Sequence, residues 1–145
     1  MRKPEQRFWD WTRDQMGRQW FYERYESRIK PDAPDLYYTS NTTGPGWIEF
    51  KVLREWPKLP FTKVRLGNWT PGQQRWMREN MENGGKATLA LWVMSTDEVF
   101  FIPQALALMS HGTLNTAEFK RICRGMTRAD CSSDMILDRL GPPVV

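Results

Sequence analysis

The sequence predicts one mixed α/β domain, a central mixed sheet flanked by helices with a helical C-terminal tail, on three observations. Residues 47–53, Trp-Ile-Glu-Phe-Lys-Val-Leu, alternate with the two-residue period of a strand. Residues 70–81 open on Thr-Pro-Gly-Gln and then place apolar side chains at helical spacing. Residues 87–94 form an almost unbroken apolar run, the pattern of a strand buried on both faces. Helix, strands, helix, strands and then helical segments is the order of a domain in which helices cover a sheet.

The chain has 145 residues, 40% of them apolar. That length suits a single hydrophobic core, and burial of roughly two thirds of the unfolded surface needs no disulfide staples. The expected division is one domain, with a core over about 5–102 and a helical extension over about 103–140. No stretch approaches the roughly twenty apolar residues of a membrane span, and the first residues are polar and charged, unlike a signal peptide. Cys123 and Cys131 read as free thiols and point to a cytoplasmic location. With His111 the only histidine, a zinc site is not expected.

Along the chain, Pro4 suits a first helical position, and Phe8, Trp11 or Thr12, and Met16 recur at helical spacing over 5–16, with Trp9 interrupting the stripe. The ring-rich segment 20–25 and residues 36–39 read as strands. Asn41 to Gly46 reads as a turn. In the strand that follows, Trp47, Glu49 and Lys51 share one face, and Ile48, Phe50 and Val52 the other. Pro57 and Pro60 make 54–69 a loop, with a short strand around 63–66. Thr70, Pro71 and Gln73 form a capping box, and Gly84-Gly85 ends that helix. A strand at 99–102 pairs antiparallel with 87–94, and helices follow at 103–109, at 116–124 behind Asn115 and Glu118, and at 134–140. Gly141-Pro142-Pro143 predicts a loose end.

The net charge is +4, and its distribution is uneven. Between positions 51 and 86 basic residues outnumber acidic ones, with only Glu55, Glu79 and Glu82 opposing them. That third of the chain suits a phosphate-facing surface, although a solvated surface with a small excess of charge reads equally well.

Chemistry is concentrated in Pro34-Asp35 and, after thirteen intervening residues, Glu49-Phe50-Lys51. If these segments are neighbouring strands, the two carboxylates converge as hard oxygen ligands for Mg²⁺ or Mn²⁺. Lys51 then stands on the same strand face as Glu49, where a fixed positive charge stabilises a phosphoryl transition state. Quoted in order, RYES at 24–27, APDLYY at 33–38, GWIEFK at 46–51 and TPGQQRW at 70–76 resemble the PD-(D/E)XK nuclease superfamily. They look closest to its VRR-NUC branch, found in phage proteins and in structure-specific DNA repair nucleases, over about half of the chain.

The resemblance implies a restriction-endonuclease-like core and a Mg²⁺- or Mn²⁺-dependent endodeoxyribonuclease. It makes Asp35 and Glu49 metal ligands, the Phe50 carbonyl a backbone ligand, Lys51 the catalytic lysine, Glu26 an additional acidic ligand and Gln73 a glutamine lining the site. Where the family usually has glycine before the PD motif, this chain has Ala33. From the residues alone, Glu26 also reads as a surface partner of Arg24 or Arg28, Glu5 and Glu23 are further outer acidic candidates, and capping by itself suffices for Gln73. The implied substrate is branched DNA, including a four-way (Holliday) junction, suited to a two-fold dimer, with host-cell cytoplasm the location if phage-encoded and no nucleotide cofactor. A nicking activity or another DNA form also fits.

Arg54, Lys58, Lys63 and Arg65 follow the catalytic strand directly, and Arg75 and Lys86 extend the basic track along which a DNA backbone could run. Trp56 and Trp69 lie beside these residues and suit stacking on an unpaired base, whereas Trp76 and Trp92 read as core. Two other classes are carried: a catalytically impaired nucleic-acid-binding module, and a protein that inhibits or recruits a partner through its aromatic surface.

Overall fold

A computed structural model describes residues 2–25 and 31–144. In chain order these form α1 (Pro4–Met16), β1 (Phe21–Arg24), β2 (Leu36–Ser40), β3 (Gly44–Leu53), α2 (Pro71–Glu82), β4 (Ala87–Val93), β5 (Glu98–Pro103), α3 (Gln104–Ser110), α4 (Thr116–Cys123), β6 (Met126–Thr127) and α5 (Ser133–Leu140). The strands stand side by side in sequence order. Every neighbouring pair is antiparallel except β3 and β4, which run parallel and are joined by the long loop and α2.

The β2–β3 hairpin runs from Leu36 opposite Ile48 to Ser40 opposite Gly44. Its turn is thus shorter than the expected 41–46, because Gly44, Pro45 and Gly46 join the strand. Pro45 is tolerated there because its missing N–H falls on the β4 side, where β4 has not yet begun: Trp47 N, two residues on, donates to Lys86 O at 3.1 Å. Gly46 has a different reason. A Cβ at that position would lie 2.5 Å from the Tyr38 hydroxyl, so glycine makes room for a fully buried ring.

The sheet is covered on both faces. α1 and α5 bring Phe8, Trp9, Met16, Ile136 and Leu140 onto Ile48, Phe50, Trp92 and Phe101. α2, α3 and α4 bring Met77, Ala107 and Phe119 onto Leu89, Leu91, Phe100 and Ile102. β4 is buried at every residue, as its continuous apolar run predicts. Trp9 does not break the buried stripe of α1; it broadens it, meeting Phe50 edge-on at 5.8 Å and Tyr22 at 5.0 Å.

Both expected capping boxes are present, Thr70 with Gln73 and Asn115 with Glu118. Residues 63–66 form only a single bridge, Lys63 to Asn115, rather than a strand. β6, two residues long, is too short to carry a period and was not legible in the sequence. Lys86 Nζ donates to Thr43 O, Gly141 O and Pro142 O at 2.7, 2.9 and 3.0 Å, so the Gly-Pro segment is held up to Pro142 while Val144 beyond it is exposed. Cys123 and Cys131 are free and buried, and burial pushes both thiols up to about 11. Among the described residues no helix is long and apolar enough to cross a membrane.

Candidate active site

Strand alternation turns Ile48 and Phe50 into the core beneath α1 and sends Glu49 and Lys51 to the opposite face. There both ionisable side chains are buried, Glu49 3% and Lys51 7% exposed. Asp35 stands one residue before β2. Instead of continuing the ladder, its Oδ2 accepts a hydrogen bond from Phe50 N at 2.8 Å, while its main-chain oxygen accepts from Tyr25 N at 2.9 Å. The carboxylate is therefore fixed by the two strands it lies between. Because N–H and C=O of one strand residue leave on the same side, the Phe50 carbonyl also points where β2 has ended.

The Asp35 and Glu49 carboxyls act on each other through their charge. Burial, and then the charge of Asp35, push Glu49 up to about 9 against the pull of Lys51. Burial also raises Asp35, opposed by the Phe50 N–H and then by Lys51 and Arg24. Two buried carboxyls at one point favour a shared proton or a bound cation.

Lys51 is held from three directions. Its Nζ donates to Asn68 O and to Gln73 Oε1, each at 2.9 Å, and lies 3.6 Å from Glu49 Oε1. The same Gln73 oxygen accepts from Thr70 N at 3.1 Å, so helix capping and contact with the lysine coexist. Gly67 allows the loop to come this close. Its φ is +71°, and a Cβ would lie 3.1 Å from Val52 O and 3.4 Å from Lys51 Cβ.

Asp35, Glu49, Phe50, Lys51 and Gln73 line a pocket of about 290 Å³ beside the start of β2. Lys3, Gln6, Trp9 and Arg24 also line it and were not foreseen. Arg24 reaches the pocket from the end of β1, where its guanidinium lies 5.0 Å from the Trp9 ring centre, a contact between segments that local pattern does not show. For Lys3 and Gln6 the sequence held no signal either, because the docking of α1 brings them in. Glu5 lines the pocket, whereas Glu23 sits on the alternate, exposed side of β1. Glu26 lies outside the described residues. Among the described residues no three His, Cys, Asp or Glu side chains converge. The donor set is two carboxylates and a main-chain carbonyl, which fits a hard divalent ion that keeps several waters.

Arg54, Lys58, Lys63, Arg65 and Arg75 are exposed. Lys86 is not part of that track, since three carbonyls occupy its ammonium. Trp69 is a correction: it is 4% exposed, packed in the core against His111 with ring centres 5.4 Å apart. Trp56 is half-buried, with Nε1 donating to Glu98 Oε1 at 2.9 Å and its ring edge-on to Phe100 and Phe119, so it too is committed to packing. Apolar area decided both positions, since burying an indole outweighs the charge of its sequence neighbours. His111 caps α3, and its Nδ1 accepts from Leu66 N at 2.9 Å.

No family model and no curated protein matches the chain. Among solved structures, that of Hjc, a Holliday junction resolvase from the archaeal hyperthermophile Archaeoglobus fulgidus, is similar over 92% of this chain and 98% of its own, with a TM-score of 0.55 and 17% identity. With that likeness the six-stranded mixed sheet and its five covering helices have a restriction-endonuclease-like fold.

Proposed function

We propose that this protein is a divalent-metal-dependent DNA endonuclease of the PD-(D/E)XK superfamily and its VRR-NUC branch, acting on branched DNA with four-way junctions as the leading substrate. The observation that carries the reading is the placement of Lys51 Nζ, 3.6 Å from Glu49 and 2.9 Å from Gln73, in the pocket that also holds Asp35.

Asp35, Glu49 and the Phe50 carbonyl would hold Mg²⁺ or Mn²⁺. Bound there, the ion supplies positive charge against the phosphate and lowers the pKa of a coordinated water. Lys51 supplies a second positive charge, kept in place by Asn68 and Gln73 before substrate arrives, so little reorganisation accompanies the charge that builds on the phosphate. Arg24, at the pocket wall, is placed to hold a neighbouring phosphate. Exposed Arg54, Lys58, Lys63 and Arg65 follow the backbone without reading bases. The likeness to a junction resolvase supports a branched substrate, and cutting two symmetry-related strands suits a two-fold dimer.

The test is cleavage of linear, single-stranded, flapped and four-way DNA in parallel with Mg²⁺ or Mn²⁺, with Lys51→Ala alongside. The expected result is metal-dependent cleavage of branched DNA by the wild type, and binding without turnover by the variant. Unchanged cleavage by Lys51→Ala sinks the mechanism; junction binding with no cleavage under any condition favours a binding module.

A further inference from the structure

We propose that Leu59 and Phe61, at the tip of the β3–α2 loop, form a wedge that unstacks bases at the branch point of the DNA; the choice of DNA as partner rests on the endonuclease reading. Among the described residues Phe61 is the most exposed large apolar side chain, at 70%, and Leu59 is 54% exposed. Two such groups at a loop tip are unfavourable in water and fit an apolar partner surface.

The tip is presented rigidly. Thr62 N donates to Leu59 O at 3.1 Å, closing a turn, and Pro57 and Pro60 restrict the backbone around it. The returning stem is anchored by fully buried Val64 and Leu66, by Val64 N to Leu114 O at 2.8 Å, and by Leu66 N to His111 Nδ1 at 2.9 Å. Exposed Lys58, Lys63 and Arg65 flank it in the chain and gather beside Trp56 and Glu55, a net positive charge that complements phosphates next to a base step. Proteins that kink DNA insert apolar side chains in this way, and a branch point already has strained stacking that lowers the cost.

The loop also carries distance information. Seven residues on from Phe61, the carbonyl of Asn68 accepts from Lys51 Nζ at 2.9 Å. Seven residues span at most about 25 Å, less than the roughly 34 Å of one helical turn. The backbone of the wedge therefore lies less than one helical turn from the carbonyl that holds Lys51.

The test uses the full chain without divalent ion and a four-way junction carrying 2-aminopurine at its centre. Wild type should raise the fluorescence. A Leu59→Ala/Phe61→Ala double variant, with unchanged circular dichroism, should lose that rise and its junction affinity should weaken about tenfold, the scale of one base–aromatic stack. A Leu59→Met/Phe61→Leu variant, apolar at both positions, should keep the rise. No rise with wild type, or an equal rise with the double variant, overturns the wedge. Binding of wild type but not the double variant to anionic vesicles, without a junction signal, overturns it in favour of a membrane. Because this readout needs no cleavage, failure of the nuclease reading shows separately, as a wild type inert in Mg²⁺ and Mn²⁺.

Discussion

A single oxygen, Gln73 Oε1, accepts both from Lys51 Nζ at 2.9 Å and from Thr70 N at 3.1 Å, so the residue that closes the first turn of α2 also fixes the candidate catalytic lysine. The two roles separate by mutation. Thr70→Ala removes the cap and should cost about 1 kcal/mol while leaving most of the turnover. Gln73→Ala should cost similar stability and in addition lower kcat by about 10²-fold, the scale of a misplaced catalytic group. Thermal melts and single-turnover cleavage of both variants check this, and equal activity losses would refute a positioning role for Gln73.

Asp35 serves Phe50 N as well as any metal. Asp35→Ala orphans that donor and should destabilise the protein by about 1–3 kcal/mol. Asp35→Asn keeps an acceptor, so it should stay within about 1 kcal/mol of wild type yet lose Mn²⁺ binding. Urea unfolding and calorimetric Mn²⁺ titration read the two effects.

The raised values of Glu49 and Asp35 set the pH dependence. In the metal-free protein the folded state holds a proton on Glu49 that the unfolded chain releases above its ordinary value of 4.5. The folded state thus binds more protons across that window, and stability falls as pH rises toward about 9. Melting temperature should be highest near pH 5 and decline toward pH 9, with a flatter profile in Glu49→Gln. A divalent ion competes with the same proton, so its stabilising effect should grow with pH. A profile of equal slope in Glu49→Gln would exclude Glu49 as the source.

Basic residues that look alike in the sequence should behave differently. Lys58→Ala, Lys63→Ala and Arg65→Ala should each lower the slope of log affinity against log salt by about 1 and leave stability unchanged. Lys86→Ala should leave that slope unchanged and instead lower the melting temperature, since it releases Thr43, Gly141 and Pro142. Junction binding at several salt concentrations, beside melting curves, distinguishes the two kinds of lysine.

Much of the frame follows from local pattern. The alternation of 47–53, the apolar run at 87–94 and both capping boxes depend on neighbours within a few residues, and each reappears in the fold. The capping box placed Gln73 on the first turn of α2, and strand period placed Glu49 and Lys51 on one face. Periodicity did not show which way the first turn of α2 points, or that Lys51 would reach it.

Side-chain destination is where local reading failed. Trp69 and Lys86 sit in basic stretches that suggest DNA contact, yet one fills the core and the other clasps the chain end. Those outcomes depend on volume and on carbonyls more than forty residues away, and no window of sequence contains them. Arg24, Lys3 and Gln6 join the pocket for the same reason, through the docking of α1 and β1 beside the start of β2.

The sequence by itself determined that Glu49 and Lys51 share one face of a strand, because short-range backbone geometry fixes that relation, whereas Asp35 joined them only through an expected hairpin that the family resemblance chiefly supported. Tertiary structure alone decided that Asp35 would replace a ladder partner of Phe50, that Asn68 and Gln73 would hold Lys51, and that Phe61 would remain in solvent. Each of those depends on how separately formed elements pack, a long-range competition for buried area and hydrogen bonds that local pattern does not encode.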